Sequence, residues 1–154
     1  MDDGGIDEER AIRLRRVIGQ LARQLNASST GAGLTPSQAS VLGLIVARGP
    51  LSLVELGRLE GLNPTMLSRV ISRLAAMGLI DRIPDPGDLR SASVVSAEAG
   101  RNVDQQIKAR RAAAVSQCMQ LLALDDVAAL ASALPALERL ADVMRQQPPA
   151  GASG

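Results

Sequence analysis

With 154 residues, 46% of them hydrophobic, the chain is long enough to bury one core, and its net charge of +1 gives no overall attraction to nucleic acid. It has no His, Phe, Tyr or Trp and one Cys, which excludes an internal disulfide, base stacking on aromatic rings and the usual nitrogen ligands of metals. No nucleophile and base stand at a recognisable spacing, and no apolar run approaches the roughly 20 residues of a membrane helix. We therefore expect a cytoplasmic protein that is not an enzyme and uses no membrane, metal or cofactor.

The N-terminal region, residues 1–30, is predicted to contain one amphipathic helix after a disordered start at residues 1–5. Within residues 6–25 the apolar positions recur at the spacing of a single helical face, and acidic residues precede them, as suits the positive end of a helix dipole. A polar, glycine-containing break follows at residues 26–33. The apolar face comprises Leu14, Val17, Ile18, Leu21 and Leu25.

Residues 34–97 carry the start and stop signals of several short elements. Thr35 is followed by Pro36 and, at the reciprocal capping position, by Gln38. This pattern predicts a helix that runs to about Arg48, where a Gly-Pro pair stops it.

Two further helices follow in close succession. Ser52 and Glu55 form a second capping box, which opens a helix that is predicted to end at Gly61. Asn63, with a proline after it, starts the next helix almost at once, and residues 63–77 are predicted to form it. Two short helices around a glycine turn are typical of a helix-turn-helix.

A hairpin is predicted directly after these helices. Residues 79–83 and 91–95 are β-prone, and turn-forming residues at 85–88 join them. A hairpin in this place forms a wing, which we assign to residues 81–95.

The remainder, residues 98–146, returns to a helical pattern. One long helix is predicted to reach about Leu124, and another to start at Asp125 or Asp126. Pro135 falls inside this last helix and predicts a kink or a break there. Residues 147–154 read as a disordered tail.

The segment 63–77 is amphipathic when it is projected at about 100° per residue. Leu67, Val70, Ile71 and Leu74 fall on one face, and the opposite face carries arginines and hydroxyls without an acid. Such a face fits the major groove of DNA. The pattern alone favours a solvated helix with ordinary surface arginines, and the wing that follows shifts the interpretation toward DNA binding.

Over nearly its whole length the sequence resembles the MarR (multiple antibiotic resistance regulator) family. The resemblance implies a mainly α-helical (α+β) winged helix-turn-helix whose N- and C-terminal helices form a dimerisation domain. It also implies a sequence-specific regulator, usually a repressor, that binds double-stranded DNA as a homodimer on a pseudo-palindromic operator. The matching stretches are LTPSQASVLGLI from Leu34, PLSLVELGRLEGLNPTMLSRVISRLAAMGLIDR from Pro50, DPGDLR from Asp85 and AEAGR from Ala97.

Carried over position by position, the resemblance assigns Arg90 to the minor groove and makes Asp88 the acid of the family's Asp-x-Arg wing motif. Asp88 either pairs with a nearby arginine and fixes the wing tip or is simply a turn former. Leu89 stands where the family has a basic residue, which weakens one phosphate contact, and Ser96-Ala97 replaces the usual Leu-Thr. The DNA-binding set is Asn63, Thr65, Ser68, Arg69, Ser72, Arg73, Asp88 and Arg90.

The apolar faces of the first and last helices predict a second copy of the chain as a partner, since one small winged helix leaves them little to cover. The alternative is packing on the long helix of the same chain, which leaves a monomer. In a dimer the two recognition helices should lie roughly 34 Å apart.

The resemblance further implies release from DNA by a small anionic or phenolic effector, for which the sequence indicates no pocket. Cys118 does not match the first-helix cysteine of redox-sensing relatives, and we interpret it as inert. The alternative function is a winged-helix module that docks a protein instead of DNA.

Overall fold

The computed structural model describes residues 8–27, 33–84 and 92–146, which form helices and a small antiparallel sheet. None of the helices in these ranges is long and apolar enough to cross a bilayer. The chain divides into two compact units, Met1–Ala114 and Val115–Gly154. The elements are α1 (Glu8–Ala27), α2 (Pro36–Arg48), β1 (Leu51–Ser52), α3 (Leu53–Glu60), α4 (Pro64–Ala76), β2 (Ile80–Pro84), β3 (Ala92–Ser96), α5 (Glu98–Met119) and α6 (Leu124–Gln146).

Both predicted capping boxes are confirmed. The backbone N–H of Gln38 donates to Thr35 Oγ1 at 3.3 Å, and the Thr35 N–H donates back to Gln38 Oε1 at 2.9 Å. At the start of α3 the N–H of Glu55 donates to Ser52 Oγ, and the Ser52 N–H donates to Glu55 Oε2, both at 3.2 Å. These bonds satisfy backbone donors that an uncapped helix start leaves free, so the sequence fixes where α2 and α3 begin.

The core of the first unit is built from α2 to α5 and the sheet, whereas α1 contributes no buried residue. Burial of one Leu or Ile side chain stabilises a fold by about 1.5–3 kcal/mol, so the core holds these elements together. The most completely buried side chains are Val41, Leu42, Ile45, Leu56, Ile71, Leu74, Ile80, Val94 and Ile107.

The sheet has the strand order β1-β3-β2 and all pairs are antiparallel. The predicted hairpin is present, with β2 and β3 each one residue later than expected, and it pairs from Ile80 with Ser96 to Pro84 with Ala92. The third strand, β1, was not predicted. Its two residues precede the α3 cap, with Leu51 opposite Val94, and two residues are too few for an alternating pattern.

The second unit contains the end of α5 and all of α6. The helix α5 ends at Met119, about five residues earlier than predicted, and a short turn leads into α6 at residue 124. Of the two outcomes predicted at Pro135, a break does not occur, because α6 continues through this residue, and a kink stays a prediction. Proline removes one backbone donor, and the helical bonds on either side are enough to sustain the helix. Residues 1–5, 147–154 and most of the break at 26–33 lie outside the described ranges.

A close approach of backbone joins α5 to the start of the hairpin. The Ala97 N–H donates to the carbonyl oxygen of Leu79 at 3.0 Å. A Cβ atom at Gly100 would lie 2.0 Å from that same oxygen, and Gly100 is buried. Only glycine fits this position without moving α5 away from the hairpin.

We predict that Gly100→Ala lowers the free energy of unfolding by about 1–3 kcal/mol, because the added methyl group overpacks a backbone contact. Urea unfolding followed by circular dichroism measures the change. Gly19→Ala is the matched control. Its Cβ would meet only the Arg23 side chain, at 3.5 Å, so stability should stay the same or rise by up to about 1 kcal/mol. Equal stabilities of wild type and Gly100→Ala would contradict the close approach.

Candidate nucleic-acid interface

The helix α4 has one buried and one exposed side, as the sequence predicts. Leu67, Val70, Ile71 and Leu74 are buried in the core. On the other side every predicted contact residue of the helix is exposed, and the Asn63 cap is exposed with them. The exposed set is Asn63, Thr65, Ser68, Arg69, Ser72 and Arg73.

The N-terminal end of α4 is fixed by its cap. Asn63 Oδ1 accepts a hydrogen bond from the Met66 N–H at 2.9 Å, and Pro64 occupies the first helical position. The cap uses the carbonyl side of the Asn63 amide, so the amide nitrogen is the part of this side chain that remains a donor for a ligand.

The C-terminal end of α4 closes with a Schellman motif. Gly78 is left-handed with φ 70°, its N–H donates to Ala75 O, and the Leu79 N–H donates to Leu74 O at 3.0 Å. Leu79 is buried beneath this turn. Hydrogen bonds from the chain itself therefore close both ends of α4. They fix the first and last turns of the helix that carries the exposed side.

The arginines of α4 carry the positive charge of this surface. The helix contains no acidic residue, and neither Arg69 nor Arg73 has an ion-pair partner among the described residues. A guanidinium group without a carboxylate neighbour is available to bond guanine edges or phosphate oxygens.

A groove of about 330 Å³ lies between α3 and α4, beside the exposed side of α4. Sequence reasoning missed it, and it also missed Arg58, which lines the groove together with Ser68, Val54 and Pro64. A groove between two helices depends on how they pack, which periodicity does not report. The position of Arg58 in the last turn of α3 was its only sequence signal.

The wing residues Asp88 and Arg90 lie outside the described residues, as does Leu89. The strands β2 and β3 that lead to them are paired up to Pro84 and Ala92. The assignment of Arg90 to the minor groove and both interpretations of Asp88 stay predictions.

Metal-binding clusters and reactive cysteines are two other kinds of candidate site. The described ranges contain no group of three or more His, Cys, Asp or Glu residues that could hold a metal ion. Cys118 is free and exposed on α5.

The helices α3 and α4 with the β2–β3 hairpin directly behind them define a winged helix-turn-helix protein. A sequence model of the MarR family matches residues 34–92. An HTH-type transcriptional regulator of Mycobacterium tuberculosis is 33% identical over 107 residues, which are 70% of this chain and 73% of that protein. The chain belongs to the MarR family of DNA-binding transcriptional regulators.

Solved structures share the fold. Apo MarR from E. coli superposes with a TM-score of 0.70 at 26% identity, over 86% of this chain and 97% of that one. A MarR family protein of Mycobacterium tuberculosis in complex with p-aminosalicylic acid gives a TM-score of 0.64 at 22% identity, over 83% and 97%. The predicted mainly α-helical winged helix-turn-helix fold is confirmed.

We predict that Asn63→Ala lowers the free energy of unfolding by about 1 kcal/mol, because the Met66 N–H loses its acceptor. Asn63→Asp is the matched control, since its side-chain oxygen keeps the cap. Thermal or urea unfolding of both variants measures the difference. A loss that is the same for Asp as for Ala would show that the cap is not what Asn63 contributes to stability.

Proposed function

We propose that the protein is a sequence-specific regulator, a repressor, that binds double-stranded DNA as a homodimer on a pseudo-palindromic operator. The observation that carries the proposal is the exposed, acid-free arginine side of α4 on a capped, rigid helix. Membership of a family of DNA-binding regulators supports it.

Within the proposed interface the α4 residues have distinct roles. Arg69 and Arg73 bond guanine edges or phosphates, and the hydroxyls of Thr65, Ser68 and Ser72 allow close approach and bond the backbone or bases. Asn63 holds the first turn in place and donates from its amide nitrogen.

The wing supplies a second contact in this proposal. Arg90 enters the minor groove, where the negative potential of the DNA is strongest. Asp88 orients the wing tip, and Leu89 contributes no charge to a phosphate contact.

Apolar side chains that the single chain leaves exposed support the proposed homodimer. On α1 they include Leu14, Val17, Ile18 and Leu21, which share one helical face. The helix α6 has no buried residue and exposes Leu130, Leu134, Leu137, Leu140 and Met144. We assign residues 1–30 and 98–146 to dimerisation, because a second copy would remove these faces from water.

Release by a small organic anion completes the proposal. The structural relative solved with p-aminosalicylic acid supports this ligand class. Such an effector acts only if it binds better to a dimer whose recognition helices no longer match successive grooves. Since the chain has no aromatic side chain, arginine and apolar side chains must supply the binding.

We predict that Arg69→Ala, Arg73→Ala and Arg90→Ala each weaken operator binding by about 1–3 kcal/mol without loss of folding, because each removes a base or phosphate contact. Fluorescence anisotropy with labelled duplex measures the affinity. Arg48→Ala in the last turn of α2 removes an exposed arginine outside α4, the wing and the two dimerisation ranges, and serves as the control.

The alternative function is a module that docks a protein partner. The dependence of affinity on salt concentration distinguishes it from DNA binding. DNA binding gives a linear fall of log affinity with log salt, because counterions are released from phosphates. Unchanged affinity in all three arginine variants, or binding that ignores salt, would contradict the DNA-binding proposal.

We also predict that Leu21→Asp converts the homodimer to a monomer, because a carboxylate would be buried in the apolar face of α1. Ile12→Asp is the control. Ile12 is similarly exposed but lies on the opposite side of α1, so this variant should remain a dimer. Sedimentation velocity measures both. A monomeric wild type would refute the assembly outright.

A further inference from the structure

Met66 is a large apolar side chain on the DNA-facing part of α4 that no proposed contact uses. It is 48% exposed, whereas the other large apolar residues of the helix are buried. It lies at the margin of the exposed side, on the same edge as Arg69 and Arg73, which follow it by one and two turns. Exposure of a methionine costs free energy in water, so a partner that covers it would add to affinity.

The structure holds Met66 in the first turn of α4. Its own N–H is the donor that Asn63 Oδ1 caps, at 2.9 Å, so the backbone of this residue is fixed before any ligand arrives. In helix-turn-helix proteins the N-terminal residues of the recognition helix reach base edges. Met66 therefore occupies a position from which side chains of such helices contact base edges.

Only one base presents an apolar group in the major groove. The C5 methyl of thymine is that group, and the other base edges there consist of donors and acceptors. Arginine and serine side chains match donors and acceptors, and the flexible, polarisable thioether of methionine adapts to an apolar surface. Among the exposed side chains of α4, Met66 is the long apolar one.

We propose that Met66 reads the C5 methyl group of a thymine in each operator half-site and so determines specificity at that base pair. This inference rests on the proposed function, DNA binding through α4. It adds an apolar readout to the hydrogen bonding of the arginines and hydroxyls.

The test uses the full-length protein and removes only the methyl group. Sites are first selected from random duplexes with the wild-type protein. Each thymine of the selected half-site is then replaced singly by deoxyuridine, and affinity is measured by fluorescence anisotropy. At one position the wild type should lose about fourfold in affinity, the factor expected for one buried methyl group. At that position Met66→Ala should bind thymine and uracil equally, and Met66→Leu should keep the preference.

Val54→Ala is the matched control. Val54 on α3 is 82% exposed, more than Met66, and it belongs to the first helix of the pair, which crosses the backbone rather than reading bases. The Val54→Ala variant should keep the preference for thymine over uracil. Equal affinities of wild type for thymine and uracil at every position would overturn the inference while DNA binding stands. A preference that survives Met66→Ala would overturn it too. Failure to select any site would instead remove the proposed function, and the inference with it.

Discussion

Burial of the inner side of α4 is the constraint on which the rest of the interface depends. Leu67, Ile71 and Leu74 pack into the core with α2 and the sheet, and this packing fixes the rotation of α4 about its own axis. Because the helix repeats every 3.6 residues, the same packing decides which side chains face outward. A change of register would bury an arginine, which costs far more than a lost surface contact.

The two ends of α4 are also fixed, by hydrogen bonds at its first and last turns. Asn63 closes the first turn, and the Schellman motif at Gly78 closes the last one. The motif delivers Leu79 into the core, and the carbonyl of Leu79 then accepts the Ala97 N–H beside the first turn of α5. The recognition helix is therefore anchored to the long helix through a few backbone bonds, with Gly100 allowing the contact to be close.

The local signals of the sequence predicted most of this arrangement. Thr35 with Gln38, Ser52 with Glu55 and Asn63 each mark a helix start through chemistry confined to a few residues, and all three caps are present. The strand β1 escaped prediction because its partner strand, β3, is distant in the sequence, and the groove beside Ser68 escaped it because a groove depends on how the neighbouring helices α3 and α4 pack. At Pro135 a break was predicted as one alternative and does not occur, because the long helix on both sides outweighs the local penalty of the proline.

The near-neutral charge of the chain makes geometry more important than general attraction. With a net charge of +1, DNA affinity in the proposed function depends on a few correctly placed arginines rather than on a broad positive field. In the proposed dimer the separation of two α4 helices must match one turn of DNA, roughly 34 Å. The hydrogen bonds of Leu79 to Leu74 and Ala97, with the close contact at Gly100, link α4 to the start of α5, so a rotation of α5 in the proposed dimer would act on α4. In the proposed dimer, an effector that changed the angle between the two α5 helices would therefore lower DNA affinity without altering α4 itself.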